Sequence, residues 1–222
     1  MAELDEFREA KERGLDRILA LSDGVFAFAL TLLVLDLVVP AFGPNQDISM
    51  LPSLLAGDWI SFINYLLSFT MIAVWWNTHH RYFEYVKGYD GRLKALNLLT
   101  LLTITLIPFF TKLLDMWITS PFAVSLYALD QGAAGTFLAL VLRYITKDRK
   151  LIDRRLDQKT VNRTRIMSTI PPVLFFLSIL LGYIGFFFLS TTQVALISWY
   201  AIFPISYIVR RKYGREPLVR VI

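Results

Sequence analysis

The sequence has no cysteine among its 222 residues, so disulfide bonds are excluded. It also has no His-Glu-x-x-His, no Gly-x-Ser-x-Gly and no glycine-rich phosphate loop, which are signatures of several large enzyme classes. None of the remaining polar residues is predicted to be catalytic. These absences predict a protein that is not an enzyme and that needs neither a cofactor nor a bound metal.

Polar sequence is scarce as well. Hydrophobic residues make up 55% of the chain and the mean hydropathy is +0.52, which is too apolar for an ordinary soluble domain. The first long apolar run extends from Arg17 to Pro40 and contains two acids, Asp23 and Asp36. Because roughly 20 helical residues cross a hydrocarbon core of about 30 Å, this run is predicted to be a transmembrane helix. The expected fold is an all-α integral membrane protein with six transmembrane helices, at about 17–39, 59–83, 93–110, 122–145, 166–189 and 194–209.

Basic residues are nearly absent from one side of this arrangement. Of the 23 Lys and Arg residues, 22 lie in or at the ends of four segments on one side: the N-terminal segment, the C-terminal tail, and the links between helices 2 and 3 and between helices 4 and 5. The exception is Lys112. The positive-inside rule therefore places both termini in the cytoplasm. It also explains the net charge of +5 without nucleic acid, since the basic residues face anionic lipid. The predicted divisions are a cytosolic segment (1–16), a six-helix membrane domain (17–212) and a cytosolic tail (213–222).

The first helix has one apolar face. On a wheel of about 100° per residue, Leu21, Gly24, Leu32 and Leu35 fall within about 40° of Phe28, and Thr31 within about 60°. Asp23 lies about 140° away, on the back of the helix. The apolar face is predicted to pack against a neighbouring helix or against lipid.

Several polar residues lie at a similar depth near the cytoplasmic ends of helices 1 to 3. An ionised Asp near the bilayer centre costs on the order of 3 kcal/mol, so Asp23 is expected to find partners inside the protein. The predicted structural cluster consists of Arg17, Ser22, Asp23, Trp76, His79, His80 and Asn97. We interpret it as a brace that orients helix 1. A proton relay through Asp23 and His79 or His80, as in a proton-coupled secondary transporter, is the alternative. A metal site is disfavoured because adjacent histidines point apart. A third possibility is a structural or lipid-binding membrane protein that works through the basic link between helices 4 and 5.

The potassium filter sequence Thr-Val-Gly-Tyr-Gly is also absent, so a channel built from this chain would have to select by other means. A narrow ring of apolar side chains can exclude hydrated ions or gate a pore by dewetting.

Motifs in the first half of the chain resemble those of the transmembrane protein 175 family, the endosomal and lysosomal potassium channels and their prokaryotic relatives. The family pattern R-x-x-x-F-S-D stands here as Arg17-x-x-x-Leu21-Ser22-Asp23, with Leu21 in place of Phe. The resemblance continues in Trp76-x-x-His79-His80-Arg81-x-Phe83, in Asn97 and in Pro108-Phe109-x-Thr111.

The resemblance implies a potassium-permeable channel: a homotetramer in the cell membrane, multi-pass, with K⁺ as permeant ion and no soluble substrate. Helix 1 of each subunit would line a central pore. The constriction would fall on Phe28, Leu32 and Leu35, with Thr31 as a hydroxyl ring, and the Ser22-Asp23 pair would be buried against helices 2 and 3. Asp36, with Asp47, is expected to make the outer mouth anionic and to concentrate cations.

Overall fold

The computed structural model describes residues 2–37, 48–147, 151–152 and 158–200, and this part of the chain is helical apart from turns and one isolated bridge between two extended residues. Helix α1 (Ala2–Leu32) continues as a 3₁₀ helix (Leu33–Asp36), and a second 3₁₀ turn (Ile48–Met50) leads into α2. The α-helices that follow are α2 (Leu51–Gly57), α3 (Trp59–Phe83), α4 (Gly91–Met116), α5 (Pro121–Thr146), α6 (Gln158–Met167), α7 (Ile170–Leu189) and α8 (Gln193–Tyr200).

Five helical segments are long and apolar enough to cross a membrane: Arg13–Asp36, Trp59–Phe83, Gly91–Met116, Pro121–Thr146 and Val161–Leu189. They correspond to the first five predicted transmembrane helices, so the prediction of an all-α membrane protein is confirmed. Helix α8 begins at Gln193, where the sequence predicts a sixth span, but that span lies largely beyond residue 200 and outside the described residues.

Helix α1 is held by one face. Ile18, Ser22, Phe26, Ala29 and Leu33 recur every three or four residues and are buried. This spacing lines one side of an α-helix, and that side packs against α3 and α4. The opposite side of α1 has no covering helix in the described part of the subunit. The packing of α1 therefore fixes which of its side chains point away from the bundle.

Three boundaries differ from the sequence prediction. Helix α4 continues six residues past the predicted end at Phe110, with Pro108 inside it, because transmembrane helices tolerate a proline whose freed carbonyl is satisfied by neighbours. Residues 51–57 form α2 rather than loop, since Pro52 suits a first helical turn. A break at Ser168 and Thr169 divides α6 from α7, where Pro171 and Pro172 begin a new helix instead of lying inside the predicted one.

The link after α3 meets the segment after α5. Val86 forms an antiparallel bridge with Ile152, and the Lys87 amide donates to the Leu151 carbonyl at 2.8 Å. These are the two links whose Lys and Arg residues predict a shared side of the membrane. At the other end of the bundle, Ser190 adopts a left-handed conformation (φ 52°) and turns the chain directly from α7 into α8.

Candidate functional site

The apolar face of α1 predicted from the wheel is exposed in the single subunit. Phe28 is 62% exposed and Leu35 is 74% exposed, although most large apolar residues on the opposite face of α1 are below 8%. Thr31 is exposed as well, and its hydroxyl donates to the Phe28 carbonyl at 2.8 Å. Leu32 is half-buried, at the edge of the face. The four residues of the predicted constriction thus lie on one side of the helix, with Leu32 turned partly toward the bundle.

The exposed sector of α1 is wide and is centred near Thr31. Its members span about 160° of the helix circumference, from Asp23 at one edge to Leu21 at the other. The last part of the stripe does not follow an α-helical wheel, because Leu33–Asp36 is a 3₁₀ helix with about three residues per turn. In that geometry Leu35 lies almost directly above Leu32, so both remain on the same face.

A buried chain of hydrogen bonds joins α3, α4 and α1. The His79 Nε2 lies 2.7 Å from the Asn97 Oδ1, and the Asn97 Nδ2 donates to the Ser22 Oγ at 2.9 Å. The Ser22 hydroxyl donates in turn to the Ile18 carbonyl at 2.8 Å. Because Asn97 Oδ1 is an acceptor, His79 donates from Nε2, which fixes one neutral tautomer. All three side chains are at most 1% exposed.

The surroundings of His79 are apolar on its other side. Its ring stacks on Phe83, with centroids 4.3 Å apart, and lies 5.6 Å from the Phe26 ring. In the described part of the chain, His79 Nδ1 has no hydrogen-bond partner. A proton placed there would be an unsatisfied donor among aromatic rings, and the other end of the chain stops at a backbone carbonyl. This arrangement braces two helices against α1 and offers no exit for a proton.

The remaining predicted cluster residues form a second, exposed group. The Trp76 indole donates to Asp23 Oδ1 at 3.0 Å, so the acid does find a partner on α3. Asp23 nevertheless stays exposed on the subunit surface, in contrast to the expectation that the Ser22-Asp23 pair is buried. The reason is helix geometry: the side chains of consecutive residues point about 100° apart around the helix axis, and only Ser22 falls on the buried face.

His80 does not join the buried chain. It faces away from His79, as adjacent helical residues must, and its ring stacks on Trp76 with centroids 5.6 Å apart. His80 Nε2 lies 3.4 Å from Glu84 Oε1, and both side chains are about half exposed. Arg17 is exposed and makes no hydrogen bond or ion pair with the described residues. The single predicted cluster is therefore two groups plus a separate arginine.

Asp36 differs in position from the prediction. The α-helical wheel puts it about 80° from Phe28, but the 3₁₀ turn carries it farther round, toward α4. There the Lys112 ammonium donates to the Asp36 backbone carbonyl at 3.1 Å. Asp115 also lies close enough to act on Asp36, so a cation and a second acid both neighbour it, and the anionic outer mouth stays a prediction. Asp47, the second acid of that prediction, lies outside the described residues.

Among the described residues no group of three or more His, Asp or Glu side chains has the proximity needed to hold a metal ion.

Sequence reasoning missed a further set of polar contacts inside the bundle. Ser68 lies 2.8 Å from the Thr111 Oγ1 and 3.1 Å from the Tyr127 hydroxyl, so α3, α4 and α5 meet at three hydroxyl groups. The Trp75 indole donates to Gln131 Oε1 at 2.8 Å. A wheel drawn for α3 would have found these positions, because its buried face includes Asn64, Ser68, Trp75 and His79.

Asp130 is buried in α5, with 5% of its surface exposed, and its Oδ2 has no partner among the described residues. The sequence suggests no role for Asp130. The nearby Trp75 indole donates its hydrogen bond to the neighbouring residue, Gln131.

Comparison with known proteins identifies a family and relatives for this chain. The family model described as "Endosomal/lysosomal potassium channel TMEM175" matches residues 17–108, which include α1 from Arg17 onward, α2, α3 and most of α4. A potassium channel of Streptomyces collinus is 36% identical over 155 residues, covering 68% of this chain and 73% of that protein. A potassium channel of Chamaesiphon minutus is 39% identical over 159 residues, covering 69% of this chain and 74% of that protein.

A solved structure has the same architecture. The crystal structure of a lysosomal potassium-selective channel TMEM175 homologue from Chamaesiphon minutus superposes with a TM-score of 0.71 and 27% sequence identity. The match covers 91% of this chain and 99% of the other. Together with the predicted motifs, these similarities show that the chain is a multi-pass membrane protein and belongs to the TMEM175 family of ion channels.

Proposed function

We propose that this protein is a potassium channel that conducts K⁺ passively through a central pore. The pore is lined by α1 from four copies of a six-helix subunit, in the cell membrane with both termini cytoplasmic. The observation that carries the proposal is the exposed face of α1. It contains bulky apolar groups and one hydroxyl, and it lies in the region that the family model matches.

The polar residues on the exposed sector support burial of α1 in an assembly. Asp23 is exposed within an apolar span, and a carboxylate facing lipid is costly, on the order of 3 kcal/mol at the bilayer centre. A neighbouring copy or an aqueous pore removes that cost. A sector of about 160° is wide enough for both, with one edge toward the pore axis and the other toward an adjacent subunit.

The constriction is assigned to rings of Phe28, Leu32 and Leu35. Four copies of each would form stacked apolar rings about the pore axis. Narrow rings of this kind exclude hydrated ions or close the pore by losing their water. Thr31 lies between these levels. Because its hydroxyl hydrogen is bonded to the Phe28 carbonyl, its oxygen lone pairs remain available to a passing cation. No carbonyl filter is required in this arrangement.

The buried chain from His79 to Ser22 has a structural role in this proposal. It ties α1 to α3 and α4 at one rotation angle, and that angle decides which residues meet the pore axis. The chain gives no support to a proton-coupled transporter, because it ends at the Ile18 carbonyl on one side and among aromatic rings on the other.

Ion flux from liposomes containing the purified protein tests the proposal. We expect fast flux under a K⁺ gradient and slower flux under a Na⁺ gradient, each with a proton ionophore present.

Phe28→Ala should raise the flux and the relative Na⁺ permeability, because it widens one ring. The matched control is Phe188→Ala on α7, which removes an equally large side chain that is 82% exposed. Absence of K⁺ flux from protein shown to be tetrameric would overturn the channel. Equal effects of the two Ala variants would overturn the constriction.

A further inference from the structure

Two cavities adjoin at Arg143 and Thr169, and together they are called the α5 cavity. The outer compartment, about 430 Å³, is lined by residues of α5 and α6 and by the turn before α7: Arg143, Asn162, Arg165, Ile166 and Thr169. The inner compartment, about 140 Å³, lies between α5 and α7, shares Arg143 and Thr169 and is otherwise lined by Thr136, Ala139, Leu140, Pro172, Val173 and Phe176. Two chemically different compartments therefore meet at Arg143.

The outer compartment presents hydrogen-bond donors. Arg143 is exposed and makes no ion pair with the described residues. Within the described residues Arg165 donates only from Nε, to the Thr146 Oγ1 at 2.6 Å, so none of its four Nη hydrogens is used there. Asn162 accepts from Gln158 at Oδ1, which leaves its amide hydrogens. None of the described lining residues is acidic. Two guanidinium groups and an amide suit a phosphate, which guanidinium binds through paired hydrogen bonds.

The inner compartment is apolar and has the shape of a groove. Its residues follow the helical spacing 136, 139, 140, 143 on α5 and 172, 173, 176 on α7, with Thr169 just before α7, so each helix contributes one face. The Thr136 hydroxyl donates to the Gly132 carbonyl and the Thr169 hydroxyl donates to the Ile166 carbonyl, so both hydroxyl hydrogens are satisfied within the backbone. Seven residues of α5 extend about 10 Å, so the groove runs about that far into the membrane from the level of Arg143.

We propose that this cavity binds an anionic phospholipid. The phosphate lies between Arg143 and Arg165, and the upper part of one acyl chain lies in the groove between α5 and α7. Charge complementarity favours a phosphate, and the continuous apolar groove favours one that carries an acyl chain, which is the arrangement of basic headgroup sites between transmembrane helices. The site is separate from α1, which packs against α3 and α4 rather than α5 or α7.

Binding of soluble short-chain lipids to the purified full-length protein in detergent tests this proposal. We expect dioctanoyl phosphatidylglycerol to bind at least tenfold more tightly than dioctanoyl phosphatidylcholine. Arg143→Gln should weaken phosphatidylglycerol binding about tenfold. Lys94→Gln removes the same charge from an exposed position at the start of α4 and should leave binding unchanged. Equal affinity for the two lipids, or equal effects of the two variants, would overturn a specific site.

A second variant tests the groove and separates a lipid from free phosphate. Val173 is 60% exposed, so Val173→Trp fills the groove without entering the core. It should abolish phosphatidylglycerol binding. Ile184→Trp should not, because Ile184 is exposed near the C-terminal end of α7, away from the groove. If inorganic phosphate displaces phosphatidylglycerol at equal concentration and Val173→Trp has no effect, the site takes free phosphate and the lipid proposal is wrong. Binding is measured without ion flux, so this result stands apart from the channel proposal.

Discussion

Asn97 in α4 donates a hydrogen bond of 2.9 Å to Ser22 in α1, across 75 residues of sequence. The same amide accepts from His79 in α3, so one side chain joins three helices. The two residues are fully buried, and no water is needed to satisfy either of them. We expect the rotation of α1, and with it the direction of Phe28, to depend on this contact.

Replacement of Asn97 by Leu should destabilise the subunit. The change leaves the His79 Nε2 hydrogen and the Ser22 oxygen without partners in an apolar interior, which costs about 1–3 kcal/mol for each buried group. Thermal unfolding in detergent measures the effect. Asn77→Leu, at an exposed position on α3, is the control and should change the midpoint little. Equal midpoints for both variants would contradict the bracing role.

Asp23 and Trp76 should control assembly more than the fold of one subunit. Asp23→Asn keeps an oxygen that can accept from the indole, so we expect only a modest loss of tetramer, whereas Asp23→Leu and Trp76→Phe each remove the 3.0 Å bond and should lower the yield further. Size-exclusion chromatography with light scattering measures the yield. A fully assembled Asp23→Asn protein that had lost only the pH dependence of its flux would instead indicate a proton relay.

Asp90 should stabilise the start of α4 in a pH-dependent way. The Tyr144 hydroxyl donates to it, and the Leu93 amide donates at 2.9 Å, so the pKa of Asp90 lies below its ordinary value of 3.8. Because the folded-state pKa is depressed, the stabilisation is present above about pH 3.8 and is lost as pH falls through the lower pKa. At neutral pH, Asp90→Ala should cost about 1 kcal/mol.

Unfolding midpoints between pH 7 and pH 3 check this prediction. The control is Asp58→Ala, because Asp58 occupies the same position before α3 but its side chain makes no capping hydrogen bond. A difference between Asp90→Ala and the unmodified protein that stayed constant down to pH 3 would rule out the carboxylate as its source.

Gly135 is required for the contact of α5 with α3 and α7. A Cβ at this position would lie 2.9 Å from a Trp75 ring carbon and 3.0 Å from the Pro172 Cδ, and neither group can rotate away easily. Gly135→Ala should therefore lower the free energy of unfolding by about 1–3 kcal/mol. Gly91→Ala is the matched control, since nothing lies within 4 Å of its Cβ position. A stable Gly135→Ala protein would show that the helices separate at little cost.

The sequence by itself determined the class of this protein and most of its helices. Apolar runs of about 20 residues have no stable alternative to a helix in lipid, because every backbone group must be satisfied within the segment. The same reasoning put His79, Asn97 and Asp23 at one depth. It failed locally at Pro171 and Pro172, since a proline can lie inside a helix or begin one, and neighbouring helices decide which.

Only the tertiary structure decided which polar residues meet. Ser22 and Asp23 are adjacent in sequence, yet Ser22 is bonded to Asn97 in the interior while Asp23 stays on the surface beside Trp76. The approach of α5 to α6, which brings Arg143 and Arg165 to one cavity, joins residues from separate helices that no local pattern pairs. Contacts between helices depend on the rotation of each helix about its axis, and packing of all the helices together fixes that rotation.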